Sequence, residues 1–249
     1  MFSNQYISSI VFARGEEPVE PYLEKLPAIR SLFDRGSLPI DHSVTFFVGE
    51  NGTGKSTLLE SIAVAYGFNA EGGTKNFNFS TADSHSALYK HITLGRSNYA
   101  KDGFFLRAES FYNAASYIGS LYEREFCLKM NTAYGEKSLH DQSHGESFMT
   151  LVETRFNGDG LYLLDEPEAA LSPMRQMTLI AHIDALVRKH SQFIIATHSP
   201  ILMAFPGAQI LQLSEKGIEQ IAYKETEHYQ VTKRFLENPE RTLRYLLEE

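Results

Sequence analysis

The segment GENGTGKST, Gly49–Thr57, follows the apolar run VTFFVG (Val44–Gly49) and opens a helical pattern that runs from Lys55 to Tyr66 and stops at Gly67. It fits the spacing G-x-x-x-x-G-K-[ST] between a strand and a helix, and each fixed position has a physical reason. Gly49, Gly52 and Gly54 let the backbone wrap closely around an anion, so that peptide N–H groups and the helix N-terminus face it. Lys55 carries a positive charge toward the outer phosphates of a nucleotide, and the Ser56 hydroxyl suits the coordination shell of Mg²⁺. The loop as a whole, Gly49, Glu50, Asn51, Gly52, Thr53, Gly54, Lys55, Ser56 and Thr57, is the expected ATP-binding element.

Two more runs read like Val44–Gly49: LYLLDE (Leu161–Glu166) and FIIATH (Phe193–His198). Their continuous rather than alternating apolar character fits strands covered on both faces, as in a parallel sheet packed between helices. Ligands bind beyond the carboxyl ends of such strands, so the polar residues that close the three runs are expected to converge. SIVFA and GFFLRAES are further strand candidates. Ser172-Pro173 reads as an N-cap followed by proline at the first helical position, opening a helix towards His190. Ser110 to Lys129 has apolar residues at a helical period, Phe68 to Ser86 is loop-rich, and the tail TKRFLENPERTLRYLLEE reads as two amphipathic helices split at Asn238-Pro239. The expected fold is α/β, with a central, mainly parallel sheet flanked by helices. One domain spans residues 1–249, with an inserted loop and helical subdomain at about 68–140 and a helical tail at 224–249.

Composition bounds the rest. Among 249 residues, 43% are apolar and 22% charged, enough to bury a full core. Cys127 is the single cysteine, which excludes an internal disulfide and a cysteine-based metal site. With no apolar leader and no run long enough to span a bilayer, the expected compartment is the cytoplasm. The net charge of −8, from 23 Lys/Arg and 31 Asp/Glu, argues against a wholly basic surface that coats nucleic acid.

The strand ends carry the chemistry. Asp165 closes an apolar strand where a carboxylate suits a Mg²⁺ contact. Glu166 follows, one residue further out, where it can polarise an attacking water as general base. His198 ends the third strand at the same edge, either as a γ-phosphate contact or as a hydrogen-bonded structural residue.

Taken in order, these motifs resemble those of the ABC-type ATPases, a superfamily of P-loop NTPases. A Walker A loop (Gly49–Thr57), a signature candidate SHGE (Ser143–Glu146), a Walker B strand with a following Glu (Leu161–Glu166), a D-loop-like EAALS (Glu168–Ser172) and a switch His (His198) succeed one another. Ser143 lies 88 positions after Lys55, Asp165 another 22 on, and His198 33 beyond that. DEPEAALSP and ATHSP look like the non-transporter branch, which includes chromosome-maintenance and repair ATPases and small bacterial ATPases. Transporter subunits more usually carry LSGGQ before a basic run. The resemblance implies a head-to-tail homodimer in which Ser143, His144, Gly145 and Glu146 of one subunit cap the ATP of the other, with Ala170, Leu171 and Ser172 as the D-loop. His144 replaces the usual first glycine. Family members place a Gln between Walker A and the signature to reach Mg²⁺, whereas no Gln occurs from Ser56 to Asp141. Glu109 stands there by position, either as a metal contact or as a surface residue capping the next helix. Phe12, Arg14 and His42 are open alternatives for the adenine contact.

The expected activity is hydrolysis of ATP to ADP and phosphate, with Lys55, Glu166 and His198 as its catalytic residues and ATP and Mg²⁺ as cofactors. The dimer switch would act on a DNA or protein partner in repair or defence. The other readings are a nucleotide-binding subunit of an ABC transporter and an ATP-sensing regulatory module with slow turnover.

Overall fold

The computed structural model describes residues 5–13, 18–70, 72–73, 86–107 and 144–247. Its strands are β1 (Ser9–Phe12), β2 (Ser37–Pro39), β3 (Val44–Val48), β4 (Ile92–Gly95), β5 (Asp102–Arg107), β6 (Gly160–Asp165), β7 (Gln192–Ala196), β8 (Gln209–Ser214) and β9 (Gly217–Gln220). The α-helices are α1 (Pro21–Lys25), α2 (Pro27–Arg35), α3 (Lys55–Tyr66), α4 (His144–Arg155), α5 (Pro173–Val187), α6 (Glu227–Glu237) and α7 (Pro239–Leu247). The main sheet runs β5-β6-β7-β3-β8-β9, parallel throughout except for the terminal β8–β9 hairpin.

The three apolar runs form the centre of this sheet. Every residue of β3, β6 and β7 is buried, because both faces are covered. Successive residues alternate between two cores. Phe47, Leu163 and Ile194 pack with Leu58, Leu59 and Ile62 of α3. Phe46, Leu164 and Ile195 pack with Phe148 of α4 and with Leu179 and Ile183 of α5. The result is a three-layer α/β architecture, as expected from the sequence.

SIVFA does form a strand, but in a separate antiparallel sheet, β2-β1-β4. Fully buried Gln192 ties this sheet to β7: its amide oxygen accepts from the backbone N–H of Tyr6 (2.8 Å) and Ile7 (2.9 Å), and its amide nitrogen donates to the Ile7 carbonyl (2.8 Å). A buried polar side chain is tolerable only when satisfied in this way.

Helix boundaries follow local chemistry. Helix α3 is capped by Gly54 and Gly67, both in the left-handed region. Ser172 caps α5 by accepting from the Arg175 N–H, with Pro173 at the first position, and the helix stops at Val187, short of His190. The tail divides at Asn238 as expected, into α6 and α7. The helix read over Ser110–Lys129 lies outside the described residues.

Candidate functional site

The carboxyl ends of β5, β6, β7 and β3 lie side by side, in the register Arg107↔Asp165, Asp165↔Ala196 and Ala196↔Phe47. The residues that follow these positions therefore meet at one sheet edge. Gly49 leaves β3 with φ 143° and passes so close to β8 that an added Cβ would fall 2.1 Å from the Leu213 carbonyl oxygen. Only glycine fits there. Beyond the loop, the Lys55 ammonium donates to the carbonyls of Gly49 (2.9 Å) and Glu50 (3.0 Å). Burial lowers its pKa, while the carboxylates of Glu166, Asp165 and Glu168 act in the opposite direction.

At the start of α3, the Ser56 hydroxyl donates to Asp165 Oδ1 at 2.9 Å. These are hard oxygen donors of the kind that hold Mg²⁺ alongside phosphate oxygens and water. The described residues contain no cluster of three or more His, Cys, Asp or Glu side chains fit for a metal by themselves.

Arg107, which carries no motif signal in the sequence, is a further neighbour. Its Nη1 donates to Glu60 Oε2 at 2.7 Å, and its Nε lies 3.8 Å from Asp165 Oδ2. It ends β5 two residues before Glu109, which, like Arg14 and Ser143, lies outside the described residues. Of the adenine alternatives, Phe12 is partly buried and packs on Phe33 with ring centroids 3.9 Å apart. His42 Nδ1 is buried without a hydrogen-bond partner among the described residues.

Glu166 adopts φ 49°, a left-handed conformation uncommon outside glycine, held by its N–H donating to Ala196 O at 2.9 Å. Backbone strain of this kind costs about 1–3 kcal/mol and gathers at functional sites. The turn sends its carboxylate toward His198, with Oε1 3.5 Å from Nε2. That imidazole nitrogen is buried and has no hydrogen-bond partner among the described residues. Two residues along, Glu168 accepts from the His198 backbone N–H at 2.5 Å. Burial raises the pKa of Glu168, opposed by that hydrogen bond. The other ring nitrogen, Nδ1, lies 3.0 Å from Nε2 of His228 in α6, a partner that sequence spacing could not reveal. Burial first and the Lys55 charge second lower the pKa of both histidines, which favours their neutral forms.

The segment from Ala170 to Ser172 is coupled to both neighbours. Gln176 donates to the Leu171 carbonyl (3.1 Å) and accepts from the Ser199 hydroxyl (2.5 Å), so the turn after β6 and the loop after β7 share one buried amide. Helix α4 begins at His144, and its Gly145 packs against the same turn. A Cβ on Gly145 would lie 2.9 Å from the Ala170 carbonyl oxygen. Glu146 pairs with Arg175 at 3.1 Å.

Two family models match the sequence: "AAA domain" over residues 25–142, and "AAA domain, putative AbiEii toxin, Type IV TA system" over residues 147–204. No curated protein matches. Among solved structures, the ATP-binding subunit of an ABC transporter aligns at TM-score 0.50 and 14% identity, over 92% of this chain and 93% of that one. CbiO1 from Clostridium perfringens, part of the CbiONQ ABC transporter complex, aligns at 0.48 and 18%, covering 98% and 100%. The SMC head domain from Thermotoga maritima aligns at 0.44 and 15%, covering 87% and 98%. No helix among the described residues is long and apolar enough to cross a membrane. With a phosphate-binding loop on a parallel sheet, and both halves of the site matched by AAA-domain models, the chain carries a P-loop ATPase domain whose α/β fold is similar to that of the ABC-transporter subunit.

Proposed function

We propose that this ATPase binds ATP on the loop Gly49–Thr57 and hydrolyses it to ADP and phosphate in a head-to-tail homodimer, acting through that switch on a DNA or protein partner. The observation that supports it best is the meeting of four groups at one sheet edge: the Lys55 ammonium, the Ser56–Asp165 pair, the Glu166 carboxylate and His198 Nε2, which has no hydrogen-bond partner among the described residues. Lys55 faces the outer phosphates. Ser56 and Asp165 would hold Mg²⁺, which would neutralise phosphate charge, with Glu109 a further candidate ligand. Glu166 takes the proton of the attacking water, and His198 Nε2 hydrogen-bonds a γ-phosphate oxygen.

In the dimer, Ser143, His144, Gly145 and Glu146 cap the partner's nucleotide, with Ala170, Leu171 and Ser172 lying between the two sites. The contact of Gly145 with Ala170 and the Gln176 bridge from Leu171 to Ser199 supply a continuous path from cap to His198. A defence role draws on the toxin–antitoxin description of the model matched at 147–204.

The test is Glu166→Gln. It should bind ATP at least as tightly, since a negative charge near the phosphates is removed. It should hydrolyse ATP ~10²–10⁴-fold more slowly, and elute as a dimer in ATP and Mg²⁺ but not without nucleotide. Full turnover by this variant would remove Glu166 as the base, and a monomer under all conditions would remove the sandwich.

A further inference from the structure

Helix α6 is anchored at the site through its first turn. Thr226, fully buried, caps the helix by accepting from the Tyr229 N–H at 3.3 Å. Just before it, the Tyr223 hydroxyl donates to the carbonyl of Pro200 (2.8 Å), two residues after His198, and its ring packs on Tyr229 with centroids 4.8 Å apart. Further along, Val231 and Leu236 are exposed. Residues on both sides of His228 are thus held by defined contacts. That side chain lies between the His198 ring and a cavity of about 330 Å³ that Gly49, Glu50 and Thr53 also line.

The His228–His198 contact has a direction that neighbouring atoms dictate. A neutral imidazole has one N–H and one bare nitrogen, so in a bond between two neutral rings one must donate and the other accept. His198 Nε2 faces the Glu166 carboxylate at 3.5 Å, and a carboxylate only accepts. A bare Nε2 would set lone pair against lone pair there, and against any phosphate oxygen. The proton therefore sits on Nε2, which leaves Nδ1 bare to accept from His228. Other charges near the two rings are Lys55, Glu50 and Glu227. Burial and the Lys55 cation both favour the neutral form of the two rings, the form this pattern uses.

We propose that His228 is a positioning residue: by donating its Nε2–H to His198 Nδ1, it locks His198 into the tautomer that presents Nε2–H to the terminal phosphate and to Glu166. The role rests on the reading of His198 given above, since the orienter matters only if the oriented group touches substrate. It also gives the C-terminal helices a direct connection to the nucleotide edge, because any displacement of α6 withdraws the donor from His198.

The assignment is tested on the nucleotide-free protein by long-range ¹⁵N–¹H correlation of ¹⁵N-histidine-labelled chains, with resonances assigned by His198→Gln and His228→Gln. The expected wild-type pattern is a protonated Nε2 and a bare Nδ1 on His198. In His228→Leu, that single tautomer should give way to an averaged one, and kcat should fall by roughly 3- to 10-fold, the range of one neutral hydrogen bond, with KM for ATP little changed. His228→Gln, whose amide can donate from a similar place, should restore both tautomer and kcat, which separates hydrogen bonding from packing. A proton on Nδ1 of wild-type His198 overturns the proposal, as does a His228→Leu variant with unaltered tautomer and kcat. If the tautomer is as expected but His198→Gln hydrolyses ATP at the wild-type rate, the reading of His198 itself fails, and the role proposed for His228 in the reaction falls with it.

Discussion

Gly49→Ala isolates the backbone geometry of the nucleotide loop. At φ 143° an alanine is strained, at about 1–3 kcal/mol. Its Cβ would also lie 2.1 Å from the Leu213 carbonyl oxygen, where real contacts essentially never fall below 3.0 Å. Strand β8 cannot retreat easily, because it is paired in register with β3 at Phe47↔Leu211 and Val48↔Gln212. The loop must therefore move by roughly 1 Å, a misplacement that can cost ~10²-fold in a site built on fixed geometry. The expected result is ATP binding weakened roughly 10- to 100-fold, about 1.4–2.7 kcal/mol. The midpoint of thermal unfolding without nucleotide should drop by about 2–12 °C, taking ~2–4 °C per kcal/mol for a chain of this size. Isothermal titration with a non-hydrolysable ATP analogue measures the first and differential scanning fluorimetry the second. Gly67→Ala is the control: its φ of 104° carries comparable strain, but nothing lies within 4 Å of the added carbon and it sits at the far end of α3. It should lose stability and keep its affinity. A folded Gly49→Ala protein that binds as tightly as wild type, or a Gly67→Ala protein that loses as much affinity, would refute the reasoning.

Two other expectations follow from the same edge. Arg107 attracts Asp165 across 3.8 Å, ~1 kcal/mol in water and ~4 kcal/mol at an effective dielectric of 20. Arg107→Gln should therefore lower the Mg²⁺ concentration for half-maximal hydrolysis by about fivefold or more, while lowering stability because Glu60 loses its partner at 2.7 Å. A Mg²⁺ titration that is unchanged or shifted upward would contradict this. The pKa values of His198 and His228 are lowered in the folded state by burial, so the stability linked to them is present above the unfolded value of 6.5 and is lost as pH falls through the folded values. Urea midpoints should decline from pH 7.5 to 5.5 and decline less in the His198→Gln, His228→Gln double variant; equal slopes would show that these rings do not titrate on unfolding. Glu168, raised by burial, contributes in the opposite sense: its share is present below its unfolded value of 4.5 and is lost as pH rises through the folded one.

What the linear chain determines is local and covalent in origin. Continuous apolar runs fix β3, β6 and β7 as buried strands, because nothing else covers such residues on both sides. The glycine spacing fixes the loop, and Ser172-Pro173 fixes the start of α5, since caps and positive φ values act within a few residues. That Asp165, Glu166 and His198 share an edge could be argued beforehand, because all three close parallel strands. What only the tertiary structure decides is which side chains from distant segments complete that edge. Arg107 and Glu60 form an ion pair beside Asp165 because β5 lies next to β6 and α3 crosses above them. Gln176 joins the loops of Leu171 and Ser199 from inside a helix. His228 reaches His198 across 30 positions of sequence, since Tyr223 and Thr226 pin the start of α6 against the loop after β7. Such partners leave no mark in spacing or periodicity. They are selected by hydrogen-bond distance in three dimensions, and that distance is set by how the strands order themselves in the sheet.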